Sequence, residues 1–239
     1  MSVHLVGGGW QDEPDGKAYR AFVAEATARG VTAGRDVPRI AVISVRDGDG
    51  HEHAAKLIAH AAAGGAFDPV VTAGDLDDEI PVTAFDDVDA IMIGGGLTPV
   101  YRDRIEPHFD LIRARVLAGV PYLGFSAGSA IASSRAVVGG WRVGGVEVAP
   151  EDAGEDLDEL SVLPGIGLVD ISIDVHAAQW GTLSRLIAAV EAGVVDAGAA
   201  VDENTVLIAG SGALRVAGSG SVWSVTRTDQ GVLVRTLGA

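Results

Sequence analysis

The feature that most constrains the fold of this chain is a rhythm: short apolar, β-branched runs alternate with segments whose apolar residues recur at helical spacing. That rhythm describes a largely parallel sheet flanked by helices on both faces, because parallel strands need long crossovers and helical crossovers bury both sides of the sheet. Val3 to Val6, Arg39 to Val45, Phe67 to Thr72, Ala90 to Ile93 and Val120 to Leu123 are strand candidates of this kind. Helices are expected from about Asp15 to Arg29, from His51 to Ala63, and from Thr98 to about Ala118. Thr98 is placed to cap the last of these, with Pro99 at the first helical position, where a missing N–H costs nothing. Leu168 to Val175 reads as a further strand, and Trp180, Leu183, Leu186, Ile187 and Val190 as the apolar stripe of a following helix. Gly139 to Gly145 reads as a loop or hairpin, and Glu151 to Glu159 as a solvated acidic loop with little structure of its own. Beyond Val195 the period drops to two, so a C-terminal antiparallel β extension is expected. Residues 1–239 read as one α/β domain, without internal repeat or low-complexity linker.

One junction in this pattern carries chemistry. Gly124-Phe125-Ser126-Ala127-Gly128 follows an apolar run and precedes Ser129-Ala130-Ile131-Ala132, which can start a helix. A serine on such a strand-to-helix turn is pushed out of the sheet edge, and glycines two residues to either side remove side chains that would collide with the turn. The following helix N-terminus would favour an oxyanion. Serine hydrolase chemistry is the expectation.

Composition narrows the alternatives. With no cysteine, thiolate nucleophiles, disulfides and cysteine metal sites are excluded. The net charge of −16, with Lys17 and Lys56 the only lysines, argues against nucleic acid or an anionic membrane as partner. No apolar run approaches the ~20 residues that span a bilayer, and no basic segment precedes a long apolar core, so a soluble, cytoplasmic protein is expected.

A serine nucleophile needs a base, and His176 is the only histidine after Ser126. Standing at the end of the run Val169 to Val175, it would reach the sheet edge that carries Ser126 if both strands are parallel. The base in turn needs an orienting carboxylate. Asp202 and Glu203, at the end of the next apolar run, both qualify. The oxyanion hole would combine the N–H of Ala127 with a donor from Gly95 or Gly96 in the glycine run after Ile93. Asp47-Gly48-Asp49-Gly50-His51-Glu52-His53 has metal-binding residue types but neither calcium-loop nor zinc-helix spacing. Gly7-Gly8-Gly9 lacks the phosphate-loop patterns and reads better as a close backbone approach near the active-site edge.

Together, Gly94-Gly95-Gly96 with Thr98, Gly124 to Ala130, Leu163 to Leu168, Ile173 to His176 followed by Ser184-Arg185-Leu186, Val201 to Thr205 and Ala217 to Val222 resemble the serine peptidase family of cyanophycinase and aspartyl dipeptidase (dipeptidase E). The resemblance is collinear over most of the chain and implies a fold related to class I glutamine amidotransferases. It implies a Ser-His-Glu triad of Ser126, His176 and Glu203, which selects Glu203 over Asp202, and it implies no metal or organic cofactor. The expected partner is a small peptide substrate, aspartyl-containing in the family, with a second copy in a homodimer as the one further partner allowed for. Leu97 and Val175 depart from the family pattern near the nucleophile, so the substrate is not carried over. Two other readings share the elbow: an α/β-hydrolase esterase, whose triad order Ser, acid, His fits poorly here, and a ligand-binding protein of the same fold that has lost turnover.

Overall fold

In the computed structural model, which describes residues 2–238, the expected alternation is realised. In chain order the main elements are β1 (Val3–Val6), α1 (Arg20–Thr32), β2 (Arg39–Val45), α2 (Gly50–Ala62), β3 (Asp68–Gly74), β4 (Ala90–Ile93), α3 (Thr98–Ile105), α4 (Phe109–Leu117), β5 (Tyr122–Phe125) and α5 (Ala127–Ala130). There follow β6 (Arg135–Gly139), β7 (Arg142–Val143), β8 (Val146–Glu147), β9 (Ser161–Pro164), β10 (Ser172–Val175) and α6 (Thr182–Glu191). The chain closes with β11 (Ala197–Val201), β12 (Thr205–Ala209), β13 (Arg215–Gly218), β14 (Ser221–Thr228) and β15 (Gly231–Gly238).

A seven-stranded sheet of order β13-β12-β1-β5-β4-β2-β3 forms the centre, parallel from β1 to β3, with β12 and β13 added antiparallel at one edge. Its inner strands are buried on both faces, and successive residues serve different cores. Ile40, Val42 and Met92 pack with Phe22 and Val23 of α1 and Leu57 of α2. Ala41, Ile43 and Ile91 pack with Tyr101, Ile105 and Ile112 of α3 and α4. The second sheet, β10-β11-β14-β15, lies on the α3/α4 side through Ile173, Val175, Val201 and Val222, and is antiparallel apart from the β10–β11 pair. Helix α6 covers its other face with Leu186, Ala189 and Val190.

Several expected boundaries shift for physical reasons. The first helix starts at Arg20, because Gly16 at φ 67° turns the chain and its carbonyl accepts the N–H groups of Tyr19 and Arg20. The helix expected to run to Ala118 breaks at Glu106–His108, a 3₁₀ turn around Pro107, which has no N–H to continue the ladder. Thr98 is the first helical residue rather than the cap. The strand expected from Leu168 is formed only from Ser172. Gly144 and Gly145 make the turn of the β7–β8 hairpin. None of the described helices is long and apolar enough to cross a membrane.

Candidate active site

Ser126 is the residue between β5 and α5, with φ 52° and ψ −113°, a strained conformation for a side-chain-bearing residue. The two flanking glycines are both required by contact. A Cβ at Gly124 would lie 2.3 Å from the Gly128 carbonyl oxygen, and one at Gly128 would lie 2.3 Å from that of Ile93. The Ser129 hydroxyl secures the turn by donating to the carbonyls of Val6 (2.8 Å) and Gly124 (2.7 Å). Helix α5 is a single turn, so a full helix dipole at Ser126, expected from the sequence, is not formed.

The three side chains singled out in the sequence come together. Ser126 Oγ lies 2.8 Å from His176 Nε2, and His176 Nδ1 lies 2.7 Å from Glu203 Oε1. His176 does not stand on the Ser126 sheet, as expected from parallel strands; it follows β10, in the second sheet, and also has a positive φ of 55°. Its approach is set by the end of β1. The carbonyls of Val6, Gly7 and Gly8 accept, in turn, the N–H groups of Ser126 (3.0 Å), His176 (3.0 Å) and Asn204 (2.8 Å). The glycine run leaves room for these neighbours: a Cβ at Gly8 would lie 2.2 Å from His176 Cε1, and one at Gly9 would lie 2.7 Å from Glu203 Oε2.

Asp202 and Glu203 have different surroundings. Asp202 accepts from the N–H groups of Ala178 (3.1 Å) and Ser221 (2.9 Å) and from Trp223 Nε1 (3.1 Å), so it ties the turn to the second sheet. Glu203 faces the cleft and reaches the imidazole, while its own N–H donates to the Gln179 side chain at 2.9 Å. Trp180 lies outside the helical stripe to which its spacing assigned it. Gly181, at φ 71°, separates it from α6, and its indole stacks on the His176 ring at 3.9 Å between centroids and 8° between planes.

Gly95 lies against Ser126, since a Cβ there would be 2.7 Å from that of the serine. The N–H groups of Gly95, Gly96 and Ala127 have no acceptor among the described residues. Three donors are therefore unspent, one in the residue after Ser126 and two in the glycine run that lines the cleft with it.

The cleft around Ser126, about 1150 Å³, is partly open to solvent and lined by Trp10, Trp141, Trp180 and Phe125. The 151–158 segment, expected to be a solvated loop, forms one of its walls. Glu155 holds that wall to the start of α3 by accepting from the Thr98 N–H (3.1 Å) and hydroxyl (3.3 Å). Burial raises its pKa above the usual carboxylate range, against the Thr98 hydrogen bonds and the Arg185 charge. Arg185, buried behind the wall, pairs with Asp174 (2.7 and 2.9 Å) and donates to the carbonyls of Gly140 and Ala153. Among the described residues no group of three His, Asp or Glu side chains could hold one metal ion. In the segment weighed for metal binding, Asp49 pairs with Arg46 at 2.7 Å and His53 turns inward to Ser44.

Comparison with known proteins supports the fold. No family model matches this chain, and no curated protein matches it in sequence. Among solved structures, a peptidase from an acI-B1 Actinobacterium aligns over all of this chain and 94% of its own, with TM-score 0.65 and 18% identity. A protein provisionally named peptidase E, from Listeria monocytogenes EGD-e, aligns over 92% of this chain and 99% of its own, with TM-score 0.52 and 14% identity. The mixed α/β architecture, with its mostly parallel central sheet and antiparallel C-terminal sheet, is one that peptidases share.

Proposed function

We propose that the protein is a serine-type peptidase or amidase that hydrolyses a small peptide through an acyl-enzyme on Ser126. The observation that carries this reading is the continuous Ser126–His176–Glu203 hydrogen-bonded chain together with three unspent N–H donors. His176 Nε2 takes the Ser126 proton as Oγ attacks the peptide carbonyl, and Glu203 holds the ring with Nδ1–H towards itself and stabilises the imidazolium. The carbonyl oxygen becomes an oxyanion held by N–H groups of Ala127 and of Gly95 or Gly96. Collapse expels the amine, which takes the proton from His176. Water, deprotonated by the same nitrogen, then attacks the acyl-enzyme and frees Ser126. The peptidases of like fold support the reaction class.

The charge of the cleft bears on the substrate. Asp47, Asp49, Glu203 and five carboxylates of the 151–158 wall line it, against Arg46 and Lys56. Such a field favours a neutral or cationic peptide over a doubly anionic one, so an aspartyl peptide is expected to bind best when it also carries a positive charge. Fluorophosphonate labelling read by mass spectrometry tests the chemistry. The intact protein is expected to be modified at Ser126, and Ser126→Ala to be unmodified. A folded protein that stays unlabelled under conditions that label other serine hydrolases overturns the proposal.

A further inference from the structure

A second histidine lines the same cleft. His53, on α2, is only 5% exposed, and its ring lies between Trp10 (5.4 Å between centroids) and Phe125 (5.9 Å). A Cβ at Gly94 would be 2.8 Å from His53 Cε1, so the ring also packs on the glycine run whose next residue touches Ser126. His53 Nδ1 is 3.1 Å from the hydroxyl of Ser44, a fully buried residue of β2. Ser44 Oγ also meets the Tyr101 hydroxyl, which accepts the Val45 N–H (3.0 Å) and has no acceptor but Ser44 for its own proton among the described residues, so Ser44 accepts from Tyr101 and is left with its own proton to donate. That proton therefore goes to Nδ1, since a buried hydroxyl without an acceptor is costly, and Nε2 keeps its hydrogen. Nε2 has no protein partner, yet it is not a sealed, unsatisfied atom: among the described residues only His4 Nδ1 is that. It keeps some exposure, on a ring that lines the cleft. The ring is neutral at pH 7, because burial, then the Arg46 charge, lowers its pKa to about 4, with Asp49 pulling the other way.

We infer that His53 is a substrate-binding residue whose Nε2–H donates to a neutral carbonyl oxygen of the bound peptide, other than the carbonyl under attack. This rests on the peptidase reading of Ser126. A neutral donor fits a peptide carbonyl in a cleft whose carboxylates disfavour a second anion. Phe125 and Trp10 flank the ring, so the bond would form beside apolar surface, where its loss tells more than in open water. Arg46, another donor lining the cleft, is already committed to Asp49 and to the Gly95 carbonyl.

The test separates His53 from Ser126. In a Ser126→Ala background, which removes turnover, titration calorimetry with dipeptide amides led by Ala, Leu, Arg, Asp and β-aspartyl identifies the tightest ligand. Adding His53→Phe, which keeps a flat ring but no donor, is expected to weaken that ligand about tenfold, and His53→Gln to recover much of the loss. With Ser126 restored, His53→Phe should lower kcat/KM for that peptide by a larger factor than it lowers fluorophosphonate labelling or p-nitrophenyl acetate hydrolysis, because neither reagent offers a second carbonyl. Unchanged dipeptide binding in His53→Phe, no recovery in His53→Gln, or no dipeptide bound at all overturns the inference. So does a parallel fall in labelling, which would give His53 a role in holding the glycine run. Failure of the intact protein to label at Ser126 is a separate result and counts against the peptidase reading.

Discussion

Adding one methyl group at Gly8 should disable this site while leaving every proposed catalytic side chain in the sequence. The new Cβ would lie 2.2 Å from His176 Cε1, 2.7 Å from Nε2 and 2.9 Å from Nδ1. Carbon atoms settle at about 3.5–4 Å, so the ring must retreat by more than ~1 Å. The 2.8 Å bond to Ser126 and the 2.7 Å bond to Glu203 then cannot both survive. Misplacement by ~1 Å costs about 10²-fold in rate, and loss of a general base as much as ~10⁴. Gly8→Ala is therefore expected to lower turnover and the fluorophosphonate labelling rate by about 10² to 10⁴. Gly8 has φ 92°, so alanine also adds backbone strain of roughly 1–3 kcal/mol, a fall in Tm of a few degrees for a chain this size. Gly34→Ala is the control: at φ 78°, with nothing within 4 Å of its Cβ, it bears strain without the clash. It should lose less Tm than Gly8→Ala, whose clash adds overpacking to the strain, and match the intact protein in labelling. A folded Gly8→Ala that labels at the unmodified rate would refute the claim that His176, held against β1, activates Ser126.

Exchanging the two adjacent carboxylates for amides should separate their roles. Glu203→Gln is expected to lower kcat by about 10²–10⁴ with little change in Tm, whereas Asp202→Asn, which weakens three hydrogen bonds, should lower Tm by more than it lowers kcat. Asp174→Ala leaves the Arg185 guanidinium buried without its partner and should cost about 3–5 kcal/mol in chemical denaturation, with Asp174→Ala/Arg185→Met recovering part of it. For cationic peptides KM should rise as salt goes from about 0.01 to 0.3 M, and for neutral ones it should stay nearly constant, because the carboxylate field is screened. His53 also predicts a pH dependence of stability. The unfolded chain binds its proton near pH 6.5 and the folded one only near 4, so stability is lost as pH falls through that window, by up to about 3 kcal/mol. Melts of His53→Gln across the same window should lack this component.

What was legible in the sequence is what local contact determines. The glycines around Ser126 are needed by atoms only a few residues away or on the neighbouring strand, and the central strands announce themselves because both of their faces are buried. Two boundary errors also had local signals: Pro107 inside an expected helix, and Gly181 between Trp180 and α6. The supports of the site had none. Trp180 has the spacing of a helical stripe, and nothing in its neighbourhood marks it as the plate on His176. Glu155 sits in an acidic run that reads as solvated; its partner, Thr98, is 57 positions away. The sheet that carries His176 could not be told from the central one, because parallel pairing of β10 with β11 gives the same apolar run as pairing with the main sheet would.

The end of β1 explains why such distant pieces meet accurately. Ser126 and His176 both hold positive φ values, which cost of order 1–3 kcal/mol each and persist only where the surroundings fix them. Three consecutive carbonyls supply that fixation, since Val6, Gly7 and Gly8 receive the N–H groups of the elbow, of the histidine and of the residue after Glu203. Close seating of this kind leaves no space for side chains on the receiving strand end. A Cβ at Gly7 would be 2.2 Å from the Asp202 carbonyl oxygen, and those at Gly8 and Gly9 would enter His176 and Glu203. The run Gly7-Gly8-Gly9 is thus the seat on which His176 and Glu203 are registered against Ser126. That accounts for a glycine run after a first strand in a chain without phosphate-loop spacing, and it makes the site a product of β1, β5, β10 and β11 together. A change that shifts β1 along the sheet should displace all three side chains at once, whereas a change confined to the cleft walls should alter substrate binding alone.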